Sequence, residues 1–193
     1  MTHFLAQRYS KQGLWSLFLM CAFPLHAWTL ILVFRDLGWM AERTNFGDAL
    51  GVGAYALLFA FIESLVLFMV MTLLGFLVST AWDAGRRIAL LTVLYWITAL
   101  WSMLAQTYFL ANLQAPDWFL AFLIQNGHPV RIMYALAFVV IAPTLALPAW
   151  FILRSEKAVK SINAVIERLS LLSAFYLFFD LVGLVFVIVR NVW

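Results

Sequence analysis

From Val52 to Val78 the chain reads VGAYALLFAFIESLVLFMVMTLLGFLV, an apolar run interrupted by a single charged side chain, Glu63. A helix rises about 1.5 Å per residue, so roughly 20 residues cross the ~30 Å hydrocarbon layer of a bilayer. The run exceeds that length and must tilt, or leave its glycine-bearing start at Gly51 and Gly53 in the interface. Lipid offers no hydrogen bonds, so the backbone has to satisfy itself, and barrel strands would alternate in polarity where this run does not. The segment is a transmembrane helix.

Four further runs flank it: Leu14 to Phe34, Ile88 to Leu110, Val130 to Leu153 and Leu169 to Val189. Each is long enough to span. The expected fold is therefore all-α, a polytopic transmembrane bundle of about five spans forming one integral membrane domain over residues 1–193. Composition agrees: 66% of residues are hydrophobic and 11% charged, whereas roughly a quarter of a soluble domain is charged. The first run is longer than the about 7–15 apolar residues of a signal peptide and lacks a small-x-small cleavage site after it, so it reads as an uncleaved span.

Basic residues in the short connections set the expected orientation. With the N-terminus inside, Arg8, Lys11, Arg86, Arg87, Arg154, Lys157, Lys160 and Arg168 are cytoplasmic, against Arg35, Arg43, Arg131 and Arg190 outside. The expectation is a cell membrane protein, N-terminus cytoplasmic and C-terminus outside. A bacterial cytoplasmic membrane suits a short chain with this bias.

Two connections carry patterns of their own. Between Ser155 and Leu169, apolar Ala158, Val159, Ile162, Val165 and Ile166 oppose Glu156, Lys160, Asn163 and Glu167. This predicts a cytoplasmic amphipathic helix lying on the membrane face, or equally an extension of the last span. Between Ala111 and Pro129, Pro116-Asp117 starts a helix and Asn126-Gly127-His128-Pro129 stops it. Its apolar stretch is too short to span and predicts an interfacial helix anchored by Trp118, with a re-entrant half-helix as the sharper alternative.

Depth singles out the candidate site. His26 lies near the middle of the first span, Glu63 near the middle of the second and Asp180 at the middle of the fifth. A charge at the bilayer centre costs about 2.5–3.5 kcal/mol on insertion scales, so these groups should face the bundle interior and each other. No lysine or arginine lies at matching depth. The acids are then protonated, or share a proton or cation, with His26 as a partner for either. On the third span Thr92, Tyr95, Thr98, Ser102 and Gln106 recur on one helical face, which ordinarily means glue between helices. Pro24, Pro143 and Pro148 each free a carbonyl one turn earlier. The candidate ligand or proton site is thus Glu63, Asp180, His26, Thr98, Ser102 and Gln106.

Denser chemical signatures are missing. There is no His-Glu-x-x-His, no Gly-x-Ser-x-Gly and no phosphate-binding Gly-x-x-x-x-Gly-Lys. His3, His26 and His128 are too scattered for a metal set or a pair of haems, and the lone Cys21 excludes an internal disulfide. No cofactor is expected and no basic arm for nucleic acid is present. Asp36, Glu42, Asp48, Arg35 and Arg43 read as a solvated mixed-charge outer loop, and Gly47-x-x-x-Gly51 as a weak packing motif. Trp15, Trp39, Trp82, Trp118, Trp150 and Trp193 sit where interfacial anchors belong, whereas Trp28, Trp96 and Trp101 lie deeper, in a core or an apolar pocket.

Three function classes follow. Small size and sparse reactive groups favour a non-enzymatic accessory or scaffolding subunit, with the bilayer and a protein within it as partners. Midplane acids and a proline-broken span favour a small transporter or proton-coupled carrier. A lipid-modifying enzyme comes third, because lipid chemistry normally works near the headgroups and these residues lie deeper.

Overall fold

The computed structural model describes residues 9–79 and 81–192, which form an all-helical bundle with no strand among them. The helices are α1 (Lys11–Arg43), α2 (Phe46–Leu74), α3 (Ala84–Leu110), α4 (Asp117–Gln125), α5 (Pro129–Arg154) and α6 (Glu156–Val192). All but α4 are long and apolar enough to cross a membrane. Arg8, His3 and Trp193 lie outside the described residues.

Side-chain caps fix where the long helices begin. Ser10 Oγ accepts from Gly13 N at 2.9 Å, Asn45 Oδ1 from Asp48 N at 2.9 Å, and Asp83 Oδ1 from Arg86 N at 2.6 Å. Each satisfies one of the N–H groups that a helix start leaves open. Ser155 alone separates α5 from α6, and its Oγ accepts from Ala158 N at 3.2 Å.

Two boundaries differ from the sequence reading, and another decides between its alternatives. The mixed-charge segment around Arg35, Asp36, Glu42 and Arg43 is no loop: α1 runs through it and breaks only at Thr44-Asn45. Nothing in that stretch stops a helix, since it lacks proline and its one glycine, Gly38, is tolerated. Asp48 is not simply solvated either, for Arg190 of α6 donates to it. Gly51 allows this, because a Cβ there would meet the Arg190 guanidinium. Second, the amphipathic segment from 155 to 169 follows the extension alternative and not the surface helix. It forms the first turns of α6, with Val159 and Ile166 buried in the bundle. Third, α2 ends at Leu74, and the rest of its run is a turn. The short helix between 111 and 129 is present as α4, stopped by Gly127 at φ +69°, a left-handed conformation that suits glycine.

Packing is organised around α1, which touches α2, α6 and α3, while α2 and α6 also pack closely on each other. The buried residues of α6 fall at Val159, Ile166, Ser173 and Asp180, seven apart and hence on one face, followed by Gly183. Small residues let the backbones approach: a Cβ on Gly183 would lie 3.5 Å from the Ala54 backbone of α2. On the other side α3 packs against α1 and then α5, which buries little beyond Ile152. Helices α2 and α3 barely touch, although both rest on α1. That separation makes the larger of the two polar loci.

Candidate functional site

The first locus grows from Pro24. Proline has no N–H, so the Met20 carbonyl one turn earlier loses its helical partner. Trp96 of α3 supplies the replacement, its indole Nε1 donating to Met20 O at 3.0 Å. In the same opened turn the Tyr95 hydroxyl donates to Cys21 O at 2.9 Å. Two deep aromatic residues of α3 are therefore spent docking on a proline-broken turn of α1.

Just beyond that turn, His26 is wholly buried and Asp180 of α6 is 5% exposed. Nε2 of His26 lies 3.1 Å from Oδ1 and 3.0 Å from Oδ2 of Asp180, and Nδ1 lies 2.8 Å from Ala22 O. A carbonyl oxygen only accepts, so Nδ1 carries a hydrogen and donates to it. In the neutral ring Nε2 would then be bare and would face a carboxylate, acceptor against acceptor. A proton must lie between them, either on the imidazole or on the carboxyl group. The pair is neutral as a unit in both cases, which answers how an acid survives at this depth without lysine or arginine. The Tyr176 ring stacks on His26 at 5.8 Å, and Phe23 bridges Tyr176 to Trp96, closing the pair in aromatic walls.

Glu63 is not part of this pair. The expectation that His26, Glu63 and Asp180 would converge holds for two of the three. Glu63 turns instead into the space between α2 and α3, a laterally open groove of about 1070 Å³ floored by α1. Asp180 is carried by the seven-residue seam of α6 toward α1, whereas Glu63 sits on the α2 face that leaves the α1–α6 packing. No spacing rule separates those two situations before the helices are assembled.

The groove collects most of the third-span stripe. Tyr95, Thr98, Ser102 and Gln106 line it, with Trp28 and Thr29 from the floor. Thr92 does not: it is buried and lines a small cavity of about 190 Å³ on the far side of α3, against α6. Thr98 donates to Leu94 O at 2.9 Å and Ser102 to Thr98 O at 3.0 Å, so both hydroxyls are turned back on their own helix. Trp28 Nε1 donates to Gln106 Oε1 at 2.6 Å across the groove. The Tyr95 hydroxyl is already used. Among the described residues none forms a hydrogen bond or ion pair with the Glu63 carboxylate. Thr98, Ser102 and Gln106 are thus brought to Glu63, and away from His26 and Asp180.

The groove has the height of a membrane. Its α2 wall runs from Val52 to Leu74, about 33 Å at the helical rise, against a ~30 Å hydrocarbon layer. Its wall is mostly aliphatic and aromatic, with Glu63 midway.

One deep cation escaped the sequence reading. Arg87, counted there only as a basic residue of a connection, is buried at the start of α3. Its Nη2 donates to Ser79 O at 3.0 Å and Trp82 O at 3.3 Å, and its guanidinium lies 5.7 Å from the Tyr9 ring. It ties the α2–α3 connection to the bundle end. The two consecutive arginines gave no signal of which one turns inward. Trp101 likewise has a fixed task, donating to Thr144 Oγ1 at 3.0 Å and so joining α3 to α5 beside Pro143.

None of the family models, curated proteins or solved structures compared with this chain matches it.

Proposed function

We propose that the protein is a non-enzymatic accessory or scaffolding subunit of a membrane complex, and that the α1–α2–α3 groove receives a transmembrane helix of another protein. The observation that carries this reading is the groove itself. It runs through both leaflets, where a phospholipid chain would fill only one, and its height equals that of a spanning helix. The polar groups along it lack the relations of a catalytic set: Ser102 bonds to its own helix, and the one imidazole at mid-depth is sealed against Asp180 elsewhere.

The orientation belongs to the same proposal. Arg86 approaches Glu156 at 4.0 Å, so the starts of α3 and α6 share one end of the bundle. Lys11, Arg86, Arg87, Arg154, Lys157 and Lys160 lie toward that end, with Arg168 further along α6, against Arg35, Arg43, Arg131 and Arg190 toward the other. In a cell membrane the first end faces the cytoplasm.

A carrier is the second reading, favoured by the proton held between His26 and Asp180. Against it, the pair is enclosed and does not line the groove, so a cargo in the groove would not touch it.

Photo-crosslinking separates the two. A photoreactive phenylalanine placed at Ser102, inside the groove, should give one discrete protein adduct in native membranes. The same group at Phe138, on the outward face of α5, should give lipid adducts. Lipid adducts alone from both positions would refute the subunit reading.

A further inference from the structure

The groove specifies the chemistry of what fills it. We infer that the occupant is a transmembrane helix of a different chain that presents one basic side chain, lysine or arginine, to Glu63. This rests on the docking reading above and adds the identity of the contact. Glu63 stands midway along an apolar wall with no hydrogen-bond or ion-pair partner among the described residues, while the Thr98 and Ser102 hydroxyls and the Trp28 indole are already engaged. An acid left in hydrocarbon is a defect that an opposite charge removes, and a helix is the occupant whose side chains can deliver that charge at mid-depth.

A second copy of this chain does not meet that requirement. Helix α2 carries no lysine or arginine at all. Those of α1, α3, α5 and α6 lie outside the middle of the apolar runs, the closest to mid-depth being Arg35 and Arg168 at their margins. The one mid-depth base, His26, is engaged by Asp180 and sealed. Self-association would bring acid to aliphatic surface, or acid to acid. Charge complementarity therefore points to a heteromeric contact.

A designed peptide supplies the test. A leucine–alanine helix of about 22 residues spans a bilayer, and it is made in three forms with lysine, leucine or glutamate at its centre. Each is reconstituted with the full chain in phosphatidylcholine vesicles, and association is read by Förster transfer. The lysine form should associate about three- to twentyfold more tightly than the leucine form, the range spanned by single interhelical polar contacts. The glutamate form should bind no better than leucine. Glu63→Gln, nearly isosteric and on the groove surface, should erase the lysine preference. Ser102→Trp and Ala56→Trp, which fill the groove from opposite walls, should weaken every form.

Failure of either layer is visible. Equal binding of lysine and leucine forms to the unaltered chain, with both blocked by the tryptophans, overturns the basic contact and leaves the docking groove standing. A lysine form indifferent to both tryptophan variants places its binding elsewhere and overturns the groove as well. A stoichiometric lipid that co-purifies with the unaltered chain and is lost in Ser102→Trp shows a lipid in the groove, and overturns both.

Discussion

Replacing Asp180 with asparagine should do little, and replacing it with leucine should do much. The His26 tautomer sets this difference. His26 Nδ1 must donate to Ala22 O at 2.8 Å, so a neutral ring presents a bare Nε2 toward α6. In Asp180→Asn the amide N–H takes over as donor to that nitrogen. Shape and hydrogen bond both survive, and the change should stay below about 1 kcal/mol, the net worth of one ordinary hydrogen bond. In Asp180→Leu the site is wholly buried on the His26 side, so no water reaches Nε2. An orphaned buried polar atom costs about 1–3 kcal/mol. His26→Leu strands the Asp180 carboxyl, at about 1–3 kcal/mol where it takes up a proton and about 3–5 kcal/mol where it stays charged. The assay is reversible unfolding in mixed detergent micelles, followed by helical circular dichroism. If Asp180→Asn proves as damaging as Asp180→Leu, the assigned hydrogen-bond directions are wrong and the shared-proton reasoning fails.

Other consequences follow from the same contacts. Trp96→Phe should cost about 1 kcal/mol by stranding the Met20 carbonyl; the cost should shrink in a Pro24→Ala background, where the restored backbone N–H can bond that carbonyl, and a double-mutant cycle measures the coupling. Gly183→Leu should destabilise by about 1–3 kcal/mol through overpacking against the Ala54 backbone, whereas Gly183→Ala meets only ordinary contact at 3.5 Å; melting in detergent ranks the two. Arg87→Lys should replace the arginine only in part, since an ammonium has donors for Ser79 O and Trp82 O, as Nη2 does, but loses the planar guanidinium beside the Tyr9 ring, and limited proteolysis should then cut more rapidly between residues 75 and 83.

The proline-broken turn shows how much was legible. That Pro24 frees a carbonyl follows from its covalent structure, and that the carbonyl needs a donor follows from burial in lipid. Which donor comes does not follow: Trp96 and Tyr95 lie far along the chain, and their arrival depends on how α3 rolls against α1. Helix ends were blurred for a related reason. The stretch from Arg35 to Arg43 is polar enough to leave the hydrocarbon, but nothing in it stops the helix, so α1 continues past the membrane boundary. Polarity marks where lipid ends, and only caps and breakers mark where a helix ends.

What the sequence determined by itself was the number of spans, the short α4 between its proline and glycine stops, and the three ionisable groups stranded at mid-depth. These are one-dimensional consequences of residue solubility and backbone hydrogen bonding in a solvent that offers none. Only the tertiary structure decided that Asp180 meets His26 while Glu63 opens onto a groove. Along a helix every residue has a fixed angular position, but which side of that circle meets a neighbour is set by the packing of the whole bundle. The small-residue faces of α2 and α6 draw those two helices together with α1, hold α2 away from α3, and so separate one acid from the other.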